Sequence, residues 1–406
     1  MFNKLKIIND PVYGLINLEN ELLFDIIEHP LFQRLRRITQ LGLAYYVYPG
    51  ATHTRFQHAL GATYLMQKAL DVLNRKGVLL TKQERTAALT AILLHDIGHG
   101  PFSHTLEYNF FCDICHEQIS LLFMQSINKD MHGALDEGIS VFTNSHPKKI
   151  LHQLVSSQLD MDRLDYLNRD SFFTGVSEGI VGSERIIEML TEKNGNLAVE
   201  AKGIYSIEKF LIARRLMYWQ VYLHKTVVVA EQILKKIISR ARLLIRNGQN
   251  IYAPPALEFF LKNDIKATNT IVETPLKYFA MLDDHDIFSA MKIWRTCGDF
   301  VLENLCSRLL DRKLFKIEIS NSPVSEQHIA KIRQQTTKNV NIPEELLDYF
   351  VIYGNLENNA YIKSPTNEIK ILRKDQTLND IAEESDISNI SALSKKVKKH
   401  FIIYPI

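Results

Sequence analysis

Histidine and aspartate residues from distant parts of the chain have the types and spacing needed for a divalent-metal site. They are His58, the adjacent pair His95 and Asp96, and Asp162. Two imidazoles and two carboxylates form a mixed nitrogen and oxygen ligand set that suits Mn²⁺, Fe²⁺, Zn²⁺ or Mg²⁺, with positions left for water and phosphate. Because such a centre activates water near neutral pH, the chemistry indicated is attack by metal-activated water.

Each of these residues also has a purely structural interpretation. An isolated histidine on an apolar helix, such as His58, is more often a hydrogen-bonded core residue than a ligand. His95 and Asp96 differ, because they close a wholly apolar stretch where their burial is costly unless a metal or counter-charge meets them. The charged residues that follow Asp160 could form an ion-pair network on a helix surface. Only their combination with the histidines favours a metal-binding role for these charged residues.

The cysteines suggest a second chemistry, which the rest of the sequence does not support. Cys112, Cys115 and His116 spell the haem-attachment pattern, but that pattern needs export, and no export signal is present between Met1 and Pro11. A zinc site built on these cysteines is disfavoured, because no second cysteine pair lies at ligand spacing. With four cysteines in 406 residues, we expect two ordinary thiols on a helix and a reducing compartment.

The composition is that of a globular protein. Hydrophobic residues make up 46% of the chain and charged residues 23%, and the net charge of +2 does not mark a nucleic-acid or membrane binder. No run of 18 apolar residues could span a bilayer, so we expect no membrane association and a cytoplasmic location.

Helical periodicity dominates the segments that carry the site residues. It extends from Leu22 to about Thr226 and predicts that the first two hundred residues are all-α. One apolar stripe runs from Ile26 to Leu41, with three arginines off it that form either a solvated face or an anion or partner site. An apolar segment from about Thr86 to Ile97 ends at Gly98, which places His95 and Asp96 in the last turn of a buried helix.

The sequence of the remaining chain predicts one long helix and then a change from helical to strand-like patterns. Ser206 is a candidate cap for a helix at residues 206–247, on which Arg214, Tyr218 and Tyr222 share a face. Strand-like segments follow at 315–319, 349–353 and 361–372. We therefore predict a core at residues 1–248, a helical extension at 249–312 and a small α/β region at 313–406.

Three strings closely resemble the HD-domain deoxynucleoside triphosphate triphosphohydrolases. They are RFQH at 55–58, HDIGHGPFSH at 95–104 and DMDRLDYLNRD at 160–170. The resemblance covers about Lys6 to Leu244. It implies a mainly α-helical fold with an HD-domain core, to which the C-terminal α/β region is an appendage. Since the motifs begin within the first sixty residues, we expect no preceding sterile-alpha-motif domain.

The resemblance also implies a reaction. His58, His95, Asp96 and Asp162 would hold the metal, and water would attack the α-phosphorus so that triphosphate leaves whole. The pocket residues implied to be catalytic are Arg55, His99, His104, Glu107 and His116. We expect His104 or His116 to give the leaving group its proton, with Glu107 orienting one of them.

Further residues match substrate contacts in the family. Arg55, Arg163 and Arg214 are candidates for the phosphate tail. The residues that match the nucleoside pocket are Gln40, Leu41, Tyr166, Asp170, Tyr218 and Tyr222. Periodicity alone favours Leu41 and Tyr222 as ordinary core residues. Three positions depart from the animal member of the family, since Arg163 replaces lysine, Tyr218 replaces histidine and Leu223 replaces glutamine.

Regulation is implied more weakly. Some relatives are oligomers switched on by nucleotides at subunit interfaces, and Lys6, Glu28, Arg34 and Arg36 fall near the matching positions. Glu28 replaces an aspartate that reads guanine. We expect a dimer or tetramer, with nucleotide activation as an open question.

The predicted function is metal-dependent hydrolysis of deoxynucleoside triphosphates to deoxynucleoside and inorganic triphosphate. One alternative is an HD-superfamily phosphomonoesterase or phosphodiesterase, because the metal shell alone does not select the bond cleaved. Another is a nucleotide sensor or single-stranded nucleic-acid-binding protein with little turnover. The basic segments at 34–37 and 395–399 motivate that second alternative.

Overall fold

A computed structural model describes residues 6–18, 20–266, 273–340, 342–362, 368–386, 393 and 395–406. The α-helices are α1 (Glu21–Glu28), α2 (Pro30–Gln33), α3 (Arg55–Arg75), α4 (Lys82–Leu94), α5 (Glu107–Phe110), α6 (His116–Asp130), α7 (Asp136–Phe142), α8 (Lys149–Val155), α9 (Met161–Thr174), α10 (Ser183–Met189), α11 (Ile204–Met217), α12 (Lys225–Arg246), α13 (Pro255–Lys262), α14 (Glu273–Met281), α15 (Asp284–Trp294), α16 (Phe300–Leu310), α17 (Glu326–Val340) and α18 (Ile381–Glu384). The predicted mainly α-helical fold with a small α/β appendage is confirmed.

Strands form four small sheets among the described residues. The strands are β1 (Ile7–Asp10), β2 (Gly14–Asn17), β3 (Phe111–Cys112), β4 (Leu190–Lys193), β5 (Asn196–Glu200), β6 (Ile265–Lys266), β7 (Lys316–Ser320), β8 (Ile352–Asn358), β9 (Lys370–Leu372), β10 (Leu378–Asp380) and β11 (Val397–Tyr404). No helix in the described ranges is both long and apolar enough to cross a bilayer.

Three helices position the residues predicted to hold a metal. Helix α3 packs against both α4 and α9. Its start is set by a capping box, in which the Thr54 backbone N–H donates to the Gln57 side chain at 2.8 Å. Helix α9 starts at Asp160, whose carboxylate accepts from the Arg163 backbone N–H at 2.8 Å. Because both helices start at the site, His58 and Asp162 lie in first turns that face each other.

The all-α prediction for the first two hundred residues is wrong at two hairpins. Strands β1 and β2 pair antiparallel, as do β4 and β5. The second hairpin turns at Asn194 and Gly195, both with positive φ (55° and 79°). Asn-Gly is the strongest short-range hairpin signal, since it suits a two-residue turn with left-handed backbone. The sequence therefore carried a signal that helical periodicity alone overlooked.

The predicted apolar stripe from Ile26 to Leu41 is not one helix. Helix α1 ends at Glu28, and Pro30 starts the short helix α2, because proline cannot continue a helix but suits its first turn. A 3-10 turn follows at Arg34–Arg37. Arg36 and Arg37 are exposed as predicted, but Arg34 is buried.

Hydrogen bonds to backbone carbonyl oxygens offset the desolvation cost of burying Arg34. Its guanidinium donates to the carbonyl oxygens of Leu282 at 3.1 Å and His99 at 2.7 Å. Arg34 therefore links the loop that follows α4 to the residues that precede α15 in the helical extension. The prediction that Arg34 lies on a solvated face is wrong.

The predicted long helix at residues 206–247 is two helices. Helix α11 ends at Met217, and a π-helical turn at Tyr218–Tyr222 separates it from α12. His224 has extended backbone and caps α12, with its Nδ1 accepting from the Thr226 backbone N–H at 3.2 Å. Single π turns inside helices are often found at functional sites, and this one carries two tyrosines assigned to the nucleoside pocket.

In the described parts of the predicted helical extension the structure has four helices, α13 to α16. Beyond it, β11 lies between β7 and β8, antiparallel to both. The strand predicted at 315–319 is confirmed, whereas β8 starts only at Ile352, after a 3-10 turn at Glu344–Tyr349. The segment predicted as strand at 361–372 contains β9, and its residues 363–367 lie outside the described ranges.

The C-terminal region shares a sheet with the core. Strand β9 pairs parallel to β5 and antiparallel to β10, which gives the order β10-β9-β5-β4 across the boundary predicted near residue 313. The two cysteines predicted to share a helix do not, since Cys112 lies in β3 and Cys115 precedes α6.

Candidate metal centre

His58, His95 and Asp162 converge on one point between α3, α4 and α9. The Asp162 Oδ1 atom lies 3.1 Å from His58 Nε2 and 3.5 Å from His95 Nε2. Asp96 completes the group, with one carboxylate oxygen 3.4 Å from His95 Nε2 and the other 3.7 Å from His58 Nε2. The structure therefore brings together all four residues that the sequence assigned to a metal, although α4 ends at Leu94, just before His95.

The donor atoms fit a divalent cation. His58 Nε2 and His95 Nε2 are buried and have no hydrogen-bond partner among the described residues. The opposite ring nitrogens are engaged, since His95 Nδ1 donates to the Ile92 carbonyl oxygen at 2.7 Å and His58 Nδ1 lies 2.7 Å from Asp165 Oδ2. With both Nδ1 atoms engaged, each ring is held so that its Nε2 atom faces the point where a metal would bind. A divalent cation bound there supplies the Lewis acid that polarises a phosphoryl oxygen and activates water.

Electrostatics around this point favour a cation. Burial raises the pKa of Asp162, but its close contacts with His58 and His95 outweigh that effect and hold the pKa well below its ordinary value. Burial opposes protonation of His58, yet its contacts with Asp162 and Asp165 raise its pKa to about 10. The carboxylates are therefore ionised, and they attract any positive charge placed between the imidazoles.

The sequence analysis did not assign Asp165 to the site and gave an ion-pair network on a helix surface as an alternative for it. The side chains of Asp165 and Arg169 are instead fully buried, with the Arg169 Nε 2.9 Å from Asp165 Oδ2. A signal for this role was available, because Asp165 follows Asp162 by three residues and precedes an arginine by four, so all three lie on one face of α9.

A second cluster adjoins the metal residues and consists of His99, His104, His116 and Glu107. The His99 and His116 rings stack at 3.9 Å between centroids. Glu107 Oε1 lies 2.5 Å from His116 Nδ1, and its Oε2 lies 3.1 Å from His104 Nδ1. Burial raises the pKa of Glu107, but these two contacts lower it well below its ordinary value. An ionised Glu107 therefore orients both imidazoles.

Arg55 braces the metal residues from the start of α3. It is 3% exposed, contacts the Asp96 carboxylate through Nη1, and donates from Nε to Ser103 Oγ at 2.8 Å. Phe102 and Ser103 have φ of 53° and 50°, in the left-handed region that non-glycine residues seldom adopt. Arg55 thus links Asp96 to the strained turn that carries His104.

Asp170 marks the other end of the site on α9. One of its oxygens accepts from the Tyr222 hydroxyl at 2.8 Å, and the other lies 2.8 Å from His53 Nε2. The Tyr166 and Tyr222 rings meet edge to face at 6.2 Å, and Tyr218 contacts Tyr222 in the same way at 5.1 Å. No spacing in the sequence pointed to His53, which precedes α3 and is completely buried.

Other predicted contacts surround this group. The buried Oε1 of Gln40 has no hydrogen-bond partner among the described residues, while its backbone N–H donates to the His53 carbonyl oxygen at 2.9 Å. Leu41 is half-buried against the main core. The Nε atoms of Arg163 and Arg214 are likewise buried without a partner in the described ranges.

A cavity of about 520 Å³ opens at the metal residues. Its lining includes His95, Asp96 and Asp162 of the candidate metal centre and His116 of the second cluster. Arg163 also lines it. A second cavity of about 460 Å³ contains three of the four predicted activator residues, namely Lys6, Glu28 and Arg36. Arg34 does not line it.

Family comparisons match two regions of the chain. The model described as "HD domain" matches residues 55–170. The model described as "HD associated region" matches residues 181–250. The first range begins at Arg55 and ends at Asp170, and so includes all four residues of the candidate metal centre.

The matches to curated relatives cover more of the chain than the two family models do. Uncharacterized protein YwfO of Bacillus subtilis (strain 168) is 34% identical over 318 residues, which span 77% of this chain and 71% of that protein. Deoxynucleoside triphosphate triphosphohydrolase SAMHD1 of Homo sapiens is 31% identical over 266 residues, which span 54% of this chain and 42% of the human protein.

Solved structures resemble the whole chain. A phosphohydrolase from Bacteroides thetaiotaomicron VPI-5482 is 51% identical with a TM-score of 0.94, covering 99% of this chain and 100% of that one. A hypothetical protein from Aquifex aeolicus is 25% identical with a TM-score of 0.72, covering 98% of this chain and 96% of that one.

Proposed function

This chain belongs to the HD-domain family of metal-dependent phosphohydrolases, and we propose that it hydrolyses deoxynucleoside triphosphates to deoxynucleoside and inorganic triphosphate. The observation that carries the proposal is the order of groups along α9. Asp162, Arg163, Tyr166 and Asp170 present a metal-binding carboxylate, a guanidinium, an aromatic ring and a second carboxylate in succession. That order suits a ligand with phosphates at one end and a sugar at the other. The human relative is named for this reaction.

Arg163 and Arg214 are the proposed contacts of the phosphate tail. Each has a buried Nε without a protein partner in the described part of the chain, so each has a donor left for an anion. Arg163 is also held by Asp160, which fixes its position at the cavity wall. Preorganised cations of this kind stabilise the charge that develops on phosphoryl oxygens during attack. Arg55, whose guanidinium is engaged by Asp96 and Ser103, is better suited to bracing the site.

His104 or His116 is the proposed donor of the proton that the leaving 5′ oxygen needs. Both imidazoles direct Nδ1 at Glu107, so their Nε2 atoms are free to exchange a proton with substrate. Water reaches His104 readily, because its side chain is 69% exposed, whereas that of His116 is 22% exposed.

Sugar selection is proposed to rest on Tyr166 and Asp170. The carboxylate of Asp170 is held from both sides by His53 and Tyr222, which leaves little freedom for it to move away from a 3′ hydroxyl. A rigid carboxylate beside packed tyrosine rings supports discrimination against an additional 2′ hydroxyl. This feature separates the proposal from a phosphomonoesterase or phosphodiesterase built on the same metal residues.

The decisive experiment resolves the products. Purified protein loaded with Mn²⁺ is incubated with mixed deoxynucleoside triphosphates and, separately, with ribonucleoside triphosphates, and products are separated by ion-exchange chromatography. We expect triphosphate from the deoxynucleotides only, and none from an Asp162→Ala variant. An Asp348→Ala variant serves as the matched control, since that side chain is exposed and far from α9 in the chain. Release of diphosphate or orthophosphate would favour the alternative phosphohydrolases.

We also propose that the chain forms a homo-oligomer and that the cavity containing Lys6, Glu28 and Arg36 takes an activating nucleotide. The Lys6 Nζ lies 3.7 Å from Glu28 Oε1, and the Arg36 guanidinium lies 3.6 Å from the Phe56 ring centroid. Two cations beside an acceptor and aromatic rings suit a phosphate and a base.

A further inference from the structure

His58 is one end of a chain of buried charged groups that leads away from the metal centre. Its Nδ1 lies 2.7 Å from Asp165 Oδ2, and Asp165 accepts from Arg169 Nε and Nη2 at 2.9 and 3.0 Å. Arg169 then donates from Nη1 to Asp10 Oδ2 at 2.7 Å. The four side chains are at most 3% exposed. Water therefore screens these contacts little, and each group depends on the next.

These four side chains form a relay, and its other end, Asp10, belongs to the hairpin of β1 and β2. Asp10 Oδ1 accepts from the backbone N–H groups of Val12 and Tyr13 at 3.0 and 2.9 Å, which closes the turn between β1 and β2. Its second oxygen is left for Arg169, 159 residues further along the chain. The hairpin thus fixes the direction from which Arg169 is held.

Two neighbouring residues, Gly61 and Tyr13, confine the Asp165–Arg169 pair. Helix α3 passes the Asp165–Arg169 pair at Gly61, where an added Cβ would lie 2.0 Å from Asp165 Oδ1 and 2.1 Å from Arg169 Nη2. His58 lies on the same helix, one turn earlier. The Tyr13 ring covers the other side, with its centroid 5.6 Å from the Arg169 guanidinium carbon.

We infer that Asp10 is a positioning residue for His58, and that it acts through Arg169 and Asp165 to direct the His58 Nε2 atom at the metal. A carboxylate on the far ring nitrogen fixes the tautomer and orientation of a metal-ligating histidine. Here that carboxylate is itself held by a bidentate guanidinium, and the guanidinium is held by Asp10. The inference rests on the metal role proposed for His58 and is independent of the substrate.

The test is the affinity of the full-length protein for Mn²⁺, measured by competition with a metallochromic chelator. Asp10→Asn keeps an oxygen for the turn N–H groups but removes the charge that faces Arg169. We expect Mn²⁺ to bind this variant about 10- to 100-fold more weakly, the range typical of lost outer-shell partners. His58→Ala provides the reference for loss of a ligand.

Asp299→Asn is the matched control. Asp299 also accepts from a backbone N–H, that of Leu302 at 2.9 Å, and pairs with an arginine, Arg240. Both variants should lower the melting temperature of the metal-free protein, but only Asp10→Asn should weaken Mn²⁺ binding. Unchanged affinity in Asp10→Asn, or equal weakening in Asp299→Asn, would overturn the inference.

Failure of the proposed metal centre gives a different result. Full Mn²⁺ affinity in His58→Ala would contradict the metal role of His58 and would overturn the inference with it. Normal Mn²⁺ binding through His58 without release of triphosphate would contradict the substrate assignment alone.

Discussion

The backbone N–H of Phe102 donates a 2.9 Å hydrogen bond to the Asp284 carboxylate, 182 residues later in the chain. The other Asp284 oxygen accepts from the backbone N–H and the hydroxyl of Thr39 at 2.9 and 2.7 Å. Thr39 precedes Gln40, which is predicted to contact the nucleoside, and Phe102 begins the strained turn before His104. One buried carboxylate from the helical extension therefore holds two loops of the site.

Asp284→Ala should impair both stability and activity. It leaves buried N–H donors without an acceptor, and each such donor costs about 1–3 kcal/mol. The turn at Phe102 is then free to relax, so kcat should fall by about 10- to 100-fold, as expected for a small displacement of catalytic groups. Urea unfolding and steady-state kinetics measure the two effects. Asp311→Ala, which removes an exposed ion pair, should change neither; equal losses in both variants would contradict the assignment.

Gly61→Ala should be far more damaging than an ordinary helix substitution. The added Cβ would overlap Asp165 and Arg169, both fully buried, so the expected loss exceeds about 4 kcal/mol. Mn²⁺ affinity should fall as well, because Asp165 supports His58. Gly182→Ala is the control, since its added Cβ would meet only Arg185 Cβ at 4.0 Å. A Gly61→Ala protein with wild-type stability in urea would show that the relay can shift aside.

Tyr166→Ala should relax sugar selection. Removing the ring beside Tyr222 opens space next to Asp170, so the ratio of kcat/KM for deoxynucleotides over ribonucleotides should fall at least about tenfold. Competition assays with paired nucleotides measure that ratio directly. Tyr205→Ala, at a tyrosine that is 70% exposed, should leave it unchanged. A preserved ratio in Tyr166→Ala would assign selection to other residues.

Arg36→Ala should weaken nucleotide activation. If an activator occupies the cavity of Lys6 and Glu28, losing the guanidinium should raise the GTP or dATP concentration for half-maximal stimulation about tenfold, the effect of one charge-assisted contact. Rates across an activator titration provide the measurement. Arg37→Ala is the neighbouring control, because Arg37 pairs with Asp283 and does not line this cavity. Wild-type rates that do not respond to added nucleotide would argue against the activator proposal.

Glu231 should make stability depend on pH. Burial raises the pKa of this carboxyl, which hydrogen-bonds to Thr105, from 4.5 to about 7. Between those values the folded state holds a proton that the unfolded state releases, so stability falls as pH rises through this window. Glu231→Gln stays uncharged, and its stability relative to the wild type should therefore increase from pH 5 to pH 8. Urea midpoints at several pH values test this, and a pH-independent difference would refute it.

Much of the site was determined by local sequence. The stretch before His95 and Asp96 formed the predicted buried helix, which ends at Leu94, three residues before the predicted end at Ile97, and Asp160 started α9 so that Asp162 lies in its first turn. Helix periodicity and caps depend on interactions within a few residues, which a single sequence displays. The resemblance of three strings to the motifs of the HD-domain family then identified the histidines and aspartates that the fold brings together.

Tertiary structure alone decided which polar groups serve these residues. Arg34 looked solvent-facing by periodicity but is buried on the carbonyl oxygens of Leu282 and His99, 248 and 65 residues away. The roles of His53 and Asp284 likewise depend on partners more than 100 residues distant. Because desolvation is costly, a buried polar or charged group is stable only where the packing supplies a hydrogen-bond partner. No short-range pattern in the chain encodes which partner that is.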